Sequence, residues 1–168
     1  MALFDRFRKK ETAKEEKVLE TVVGSPTEGT VVPMEEIPDP VFSQGVLGTC
    51  CGVVPEQGKV FAPINGEIVQ VSDTKHAVGI ASANGLELII HVGIDTVDME
   101  GDGFTVDIKK GDKVKKGDLI LTMDLDKIKA AGHPDLVILA VTNPGENKEA
   151  KLVANENVRP GEDLFQIA

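Results

Sequence analysis

Leu86-Glu87-Leu88-Ile89-Ile90-His91-Val92-Gly93-Ile94-Asp95-Thr96-Val97, with the strand before it that carries His76, decides how this chain folds. Between the two runs lies Ala83-Asn84-Gly85. Asn-Gly between apolar runs is the strongest short-range hairpin signal, because a type I′ turn needs positive φ at both central residues. With Asn84 and Gly85 at those positions, Ala83 is expected to face Leu86, Ala81 to face Leu88, Val78 to face His91 and His76 to face Gly93. Opposed residues share a face and faces alternate along each strand. The expected core face is then Ala77, Ala81, Ala83, Leu86, Leu88, Ile90 and Val92. The other face carries Thr74, His76, Val78, Ile80, Glu87, Ile89 and His91. His76 and His91 become diagonal neighbours there, with rings able to meet.

Working outward, 168 residues make one domain, long enough to bury a good core. Trp and Tyr are absent, so that core is built from Val, Ile, Leu and six Phe. A formal charge of −10 argues against a nucleic-acid partner and predicts that any partner surface is basic. Adjacent Cys50 and Cys51 do not make a disulfide framework, and a reducing cytosol is the default. No apolar run approaches the roughly 18–20 residues of a membrane span, and the N-terminus lacks the apolar core of a secretory signal. A cytoplasmic protein is expected.

Residues 1–17 differ in composition from the rest. Leu3, Phe4 and Phe7 fall at helical spacing among Arg6, Arg8, Lys9 and Lys10, which is the pattern of a short amphipathic anchor for an anionic membrane surface. A solvated tail is the plainer reading, since so short a segment buries little apolar area. From Val18 to Ala168 the pattern is that of short strands broken by Gly and Pro: 18–23, 29–33, 46–54, 59–61, 67–71, 77–82, 86–92, 104–107, 119–123, 136–142, 151–153 and 164–167. Many short strands with turn signals between them predict an all-β domain, an antiparallel sandwich or barrel-like arrangement. Asp124 to Ala131 is the helix candidate inside it, with Asp124 as N-cap and Gly132 and Pro134 as the stop. Glu35 to Phe42, with prolines at 38 and 40, reads as an extended loop.

Two internal repeats emerge. Ser25-Pro26-Thr27-Glu28-Gly29-Thr30-Val31-Val32 echoes Ala62-Pro63-Ile64-Asn65-Gly66-Glu67-Ile68-Val69, with the glycines 37 positions apart. Gly111 to Leu119 echoes Ala154 to Leu164. Each is a turn-plus-strand unit, so the domain reads as an interlocked duplication.

A lone strand histidine is usually a satisfied polar residue; two on one face among Val78, Ile80 and Ile89, with Asp95 just downstream, are a site. A semi-apolar surround keeps the imidazoles neutral, which is their nucleophilic form. Such a pair can supply two ligands of a zinc site, or one ring can take a phosphoryl group on nitrogen while the other donates a hydrogen bond to its oxygens. A zinc metallopeptidase-like hydrolase on a duplicated β fold is the alternative; it needs a third ligand and a general base, and no H-E-x-x-H or H-x-H occurs. A biotinyl- or lipoyl-type carrier lacks its modifiable lysine, since Asp124 follows Met123. His133 reads as structural at the predicted helix end. Cys50 and Cys51 read as buried small hydrophobes, and Lys109, Lys110, Lys113, Lys115 and Lys116 as a solvated turn region.

At Glu87 to Val97, followed by Gly101-Asp102-Gly103-Phe104, the sequence resembles the glucose-specific IIA component of the bacterial sugar phosphotransferase system. The run His91-Val92-Gly93-Ile94-Asp95-Thr96-Val97 is the family's signature. Thr74-Lys75-His76-Ala77 matches its second-histidine stretch, and Val41-Phe42, Ala62-Pro63 and the Gly111–Leu119 run with its duplicate also match. The resemblance covers residues 18–168, and Met1 to Asp5 resemble the family's membrane-touching N-terminal segment. It implies a β-sandwich of the duplicated hybrid motif type with one or two short helices, and a phosphoryl relay without a required cofactor. The phosphocarrier HPr would phosphorylate His91, and a cysteine on the IIB domain of a sugar permease would receive the group. His76 would stabilise the phosphoryl group and Thr74 would orient His76. Phe42, Asp39, Val78, Ile89, Asp95 and Val97 would face the partners, and the His76–His91 pair could hold zinc. Ser72, Ile89 and Val92 stand where the enterobacterial branch can carry aromatics.

Overall fold

A computed structural model describes residues 21–168. The expected tail over 1–17, its membrane contact and the first residues of the expected strand 18–23 lie outside the described residues. Among the described residues no helix is long and apolar enough to cross a membrane.

Fourteen strands form among the described residues, and every pairing between them is antiparallel. They are β1 (Val22–Gly24), β2 (Gly29–Pro33), β3 (Thr49–Pro55), β4 (Lys59–Phe61), β5 (Gly66–Val71), β6 (Ala77–Ala81) and β7 (Glu87–Val92). Then follow β8 (Phe104–Val106), β9 (Lys113–Val114), β10 (Leu119–Met123), β11 (Val137–Asn143), β12 (Ala150–Leu152), β13 (Asn157–Val158) and β14 (Asp163–Ile167). Eight strands make one sheet in the order β13-β2-β3-β11-β7-β6-β5-β9, and two three-stranded sheets run β1-β14-β12 and β4-β10-β8. The all-β sandwich expected from the sequence is the observed fold, and the sheets do not close into a barrel.

Those orders show the duplication directly. Exchanging β2 with β5, β3 with β6, β11 with β7 and β13 with β9 maps the large sheet onto itself, and β1-β14-β12 onto β4-β10-β8. One unit, β4 to β10, is continuous and sits inside the other. Hydrogen bonds repeat too. Gly117 N–H donates to Ala62 O and Gly161 N–H to Ser25 O, both at 2.9 Å. The units also exchange bonds, Gly24 N–H to Pro63 O at 2.9 Å and Phe61 N–H to Pro26 O at 2.7 Å. The repeated glycines have one steric cause: a Cβ would lie 1.7 Å from Val54 O at Gly29 and 2.5 Å from Ala81 O at Gly66.

The main core lies between the large sheet, which contributes Val53, Ile68, Val78, Ile80, Leu88, Ile90 and Leu139, and the small sheets, which contribute Val60, Ile120, Leu121, Leu164 and Phe165. A second cluster, Ile37, Phe42, Cys50, Ile94, Leu136, Ile138 and Ala140, covers the opposite face of β3 and β11. Cys51 belongs to the first cluster and Cys50 to the second, as strand alternation requires, and both thiols are buried and free.

The hairpin register differs from the expected one by a residue. Ala77 pairs with His91, Val78 with Ile90, Ile80 with Leu88 and Ala81 with Glu87. Ser82 N–H donates to Leu86 O at 2.8 Å and Gly85 N–H to Ser82 O at 3.2 Å, so Ala83-Asn84-Gly85 is a three-residue loop. Gly85, at φ +86°, takes the left-handed position and Asn84 does not, which is a type I turn closed by a glycine bulge. One residue of slip flips β6, so Val78 and Ile80 enter the core and Ala77 and Ala81 turn away from it. Two large aliphatic side chains contribute about 3–6 kcal/mol on burial. That outweighs any preference between turn types.

Three further differences are local. Asp39 to Ser43 is not extended: Pro40 opens a single helical turn, α1 (Pro40–Ser43), which Asp39 caps by accepting from Val41 N–H at 2.9 Å. Residues 34–36 form a 3₁₀ turn. The third strand starts at Thr49, which leaves Val46 and Leu47 exposed in the turn before it. The expected helix is present as α2 (Leu125–Ala130), with Asp124 accepting from Lys127 N–H at 3.1 Å.

Candidate functional site

His91 sits on β7 with Ala77 of β6 on one side and Ile138 of β11 on the other. Its neighbours Ile90 and Val92 point into the main core, so its own ring points to the opposite face. His76 precedes β6 by one residue. Lys75, left-handed at φ +61°, closes a tight turn with its N–H on Ser72 O at 2.9 Å. The His76 carbonyl accepts from Val92 N–H at 2.7 Å, which ties the two histidine segments together. The rings meet edge to face, with centroids 4.8 Å apart and planes at 83°. The expected meeting therefore occurs, but through this turn rather than through a shared strand face.

The hydrogen bonds give the rings different jobs. His91 Nδ1 lies 2.9 Å from Gly93 O. A carbonyl only accepts, so Nδ1 carries the proton and Nε2 holds the lone pair. His76 Nδ1 lies 2.6 Å from Thr74 Oγ1 and 3.4 Å from Ser72 Oγ, and Ser72 Oγ also accepts from Ala77 N–H at 3.1 Å. Thr74 can donate to that nitrogen, which leaves His76 Nε2–H as a donor. Phe42, only 5% exposed, packs its ring against His91 with centroids 5.0 Å apart.

Burial, with a smaller contribution from His76, lowers the His91 pKa to about 4, against the weaker upward pull of the Gly93 bond, Asp39 and Asp95. Burial lowers that of His76 too, which is 8% exposed. Both rings are neutral at pH 7.

Of the residues expected at the partner surface, Val97 is half exposed, Asp95 exposed, and Asp39 and Ile89 partly so. Val78 is a correction: at 1% exposure it belongs to the core, because the true register turns it inward. Sequence reasoning missed the identity of the Gly93 carbonyl, the Ser72 hydroxyl, and Cys50, whose thiol donates to Phe42 O at 3.2 Å beneath the site. Burial, then Glu35, pushes the Cys50 thiol up to about 11, and burial raises that of Cys51 as well, so both remain protonated. Exposed Val41 and Val46 flank the Phe42 turn, where Val46 N–H meets Val41 O at 3.1 Å. The strand read over 46–54 hid Val46, and the extended loop read over Glu35 to Phe42 hid Val41. His133 closes the end of α2, its N–H on Ile128 O at 3.1 Å. The lysine cluster surrounds β9 at the sheet edge, beyond β6 and β5 from His91.

Residues 21–148 match the family model described as phosphoenolpyruvate-dependent sugar phosphotransferase system, EIIA 1. The structure is similar to that of glucose permease IIA from Mycoplasma capricolum, with a TM-score of 0.79 and 31% identity over 86% of this chain and 93% of that one. It also aligns with an M23 metalloprotease, pseudoalterin, from the deep sea, at a TM-score of 0.47 and 11% identity over 89% of this chain and 96% of that one. The second likeness is too weak to carry chemistry. A neutral histidine pair on an antiparallel sandwich, a family model spanning most of the chain and a close structural relative agree: the chain belongs to the EIIA 1 family of the phosphoenolpyruvate-dependent sugar phosphotransferase system.

Proposed function

We propose that this phosphoryl carrier takes its phosphoryl group from phospho-HPr on Nε2 of His91 and gives it to a cysteine on the IIB domain of a glucose-type permease. The observation that carries the reading is the Nδ1–H bond of His91 to Gly93 O, which leaves Nε2 as the nucleophile beside His76. The lone pair on Nε2 attacks phosphorus in line, and the pair of the broken P–N bond returns to the donor's ring nitrogen. His91 keeps its Nδ1 proton and becomes a phosphoimidazolium whose N–H rests on the Gly93 carbonyl. In the second step the cysteine thiolate attacks phosphorus, the P–N pair returns to Nε2, and the ring is neutral again. Positioning and charge stabilisation carry the rate, with His76 Nε2–H donating to the phosphoryl oxygens and Thr74 holding His76. Ile89 and Val97 form an apolar rim for the partners, buried Phe42 backs the His91 ring from beneath it, and Asp39 and Asp95 attract a basic partner.

Reconstitution with phosphoenolpyruvate, the energy-coupling proteins and a IIB domain tests this. Label should pass through the chain to the IIB cysteine, and the His91→Gln chain should carry none. Label on the His91→Gln chain, or a IIB domain that stays unlabelled, would refute the relay.

The same pair could take zinc through both Nε2 atoms once the His76 proton moves to Nδ1 against Thr74 Oγ1, and phosphorylation would compete for the His91 nitrogen. Among the described residues no group of three or more His, Cys, Asp or Glu could hold a metal. The remaining donors would come from a partner or water, which is a docking arrangement rather than a hydrolytic centre.

A further inference from the structure

We propose that Thr96 is a positioning residue for the phosphoryl acceptor, holding the turn that keeps the Gly93 carbonyl against His91 Nδ1. The inference rests on reading His91 as that acceptor. Thr96 is wholly buried, and its hydroxyl donates to Val92 O. Its methyl group fills the space beside Gly93, where a Cβ would lie 2.2 Å from Thr96 Cγ2.

Three successive amides, from Val92 to Ile94, are tied to neighbouring segments. Val92 N–H bonds His76 O at 2.7 Å, Gly93 N–H bonds Leu136 O at 2.7 Å, and Ile94 N–H bonds Pro134 O at 3.1 Å. The Ile94 amide belongs to the same planar unit as the Gly93 carbonyl, so its bond orients the oxygen that His91 uses. Gly93 at φ +78° and Asp95 at φ +59° are both left-handed, a sharp reversal that brings Thr96 back under Val92. The Thr96 hydroxyl binds the carbonyl of the Val92–Gly93 peptide unit, whose N–H is on Leu136 O, so that unit is held at both ends just before Gly93. Serine has the hydroxyl without the methyl, and valine the methyl without the hydroxyl. Threonine has both.

The test reads the tautomer of His91 by ¹⁵N spectroscopy of histidine-labelled protein at neutral pH, alongside the rate of phosphorylation by HPr. In Thr96→Val the Val92–Gly93 peptide loses one of its two ties, the carbonyl should tilt out of line with Nδ1, and the ratio of Nδ1–H to Nε2–H tautomers should fall about tenfold, the weight of one ordinary hydrogen bond. Acceptance should fall in step, and Thr96→Ser should restore both to within about threefold. A folded Thr96→Val chain whose His91 tautomer is unchanged would overturn the proposal. Should that variant not fold, the unsubstituted protein decides: a slowly exchanging Thr96 hydroxyl proton supports the tie, and one averaged into water refutes it. The tautomer readout needs no phosphoryl donor. An unsubstituted chain that is never phosphorylated, while Thr96→Val still shifts the tautomer, would count against the carrier reading alone.

Discussion

At the level of single side chains, His91 and His76 differ in what holds Nδ1: a carbonyl, which only accepts, against hydroxyls, which can also donate. That contrast separates their roles. In His76→Gln the nucleophile remains and the amide still offers an N–H, so acceptance from HPr should survive. Onward transfer depends on the imidazole N–H that Thr74 aims at the phosphoryl oxygens, which a mobile amide replaces poorly, and should slow by about 10²–10³, so the variant accumulates phosphorylated. Quench-flow of both half-reactions checks this, and equal slowing of the two would make His76 merely structural. A lowered pKa also sets the pH profile. With His91 near 4, acceptance should stay flat from pH 7 to about 5 and halve near pH 4, where an ordinary histidine would halve near 6.5. The unfolded ring binds its proton first as pH falls, so His91 destabilises the fold between about pH 6.5 and 4 and has no such effect above. Urea midpoints should fall across that window, and less so in His91→Gln.

Among the elements, two glycines with similar φ make opposite predictions. Gly85, at +86° in the β6–β7 loop, has open space where a Cβ would go, so Gly85→Ala should cost about 1–2 kcal/mol of stability and leave phosphorylation intact. Gly93, at +78°, has Thr96 in that space, so Gly93→Ala should be less stable still and lose most phosphoryl acceptance. Paired urea denaturation and phosphorylation assays decide, and a fully active Gly93→Ala would show that the turn is not tied to His91. This hairpin also marks how far the sequence could be read. Asn84-Gly85 announced a reversal correctly, and the alternation of β7 placed Leu88, Ile90 and Val92 inward. The register was not legible, because loop length is chosen by the burial of Val78 and Ile80, a tertiary effect absent from local turn chemistry. That the rings of His76 and His91 meet was legible from the two hairpin runs they sit in. The Gly93 carbonyl was not, since every residue has one and only the turn aims it. Strands β9 and β13, two residues each, are too short for an alternating pattern to show.

For the whole molecule, the duplication was visible in sequence as two short echoes, and its consequence is architectural. Equivalent strands β7 and β11 lie side by side at the centre of the large sheet, so His91 stands on its most supported strand. The overall charge of −10, with Asp39 and Asp95 near His91, should steer a basic partner. Acceptance from HPr should therefore slow by about tenfold as salt rises from ~0.05 to ~0.5 M, and a rate that is flat or rises would contradict the steering. All of this serves one claim, that the fold presents Nε2 of His91 as the phosphoryl acceptor. The direct measurement is ³¹P–¹⁵N correlation on ¹⁵N-histidine-labelled protein after phosphorylation by HPr. Coupling of a single phosphorus to Nε2 of His91, with Nδ1 still protonated, is the predicted result; coupling to Nδ1, to His76 or to no histidine would contradict the account.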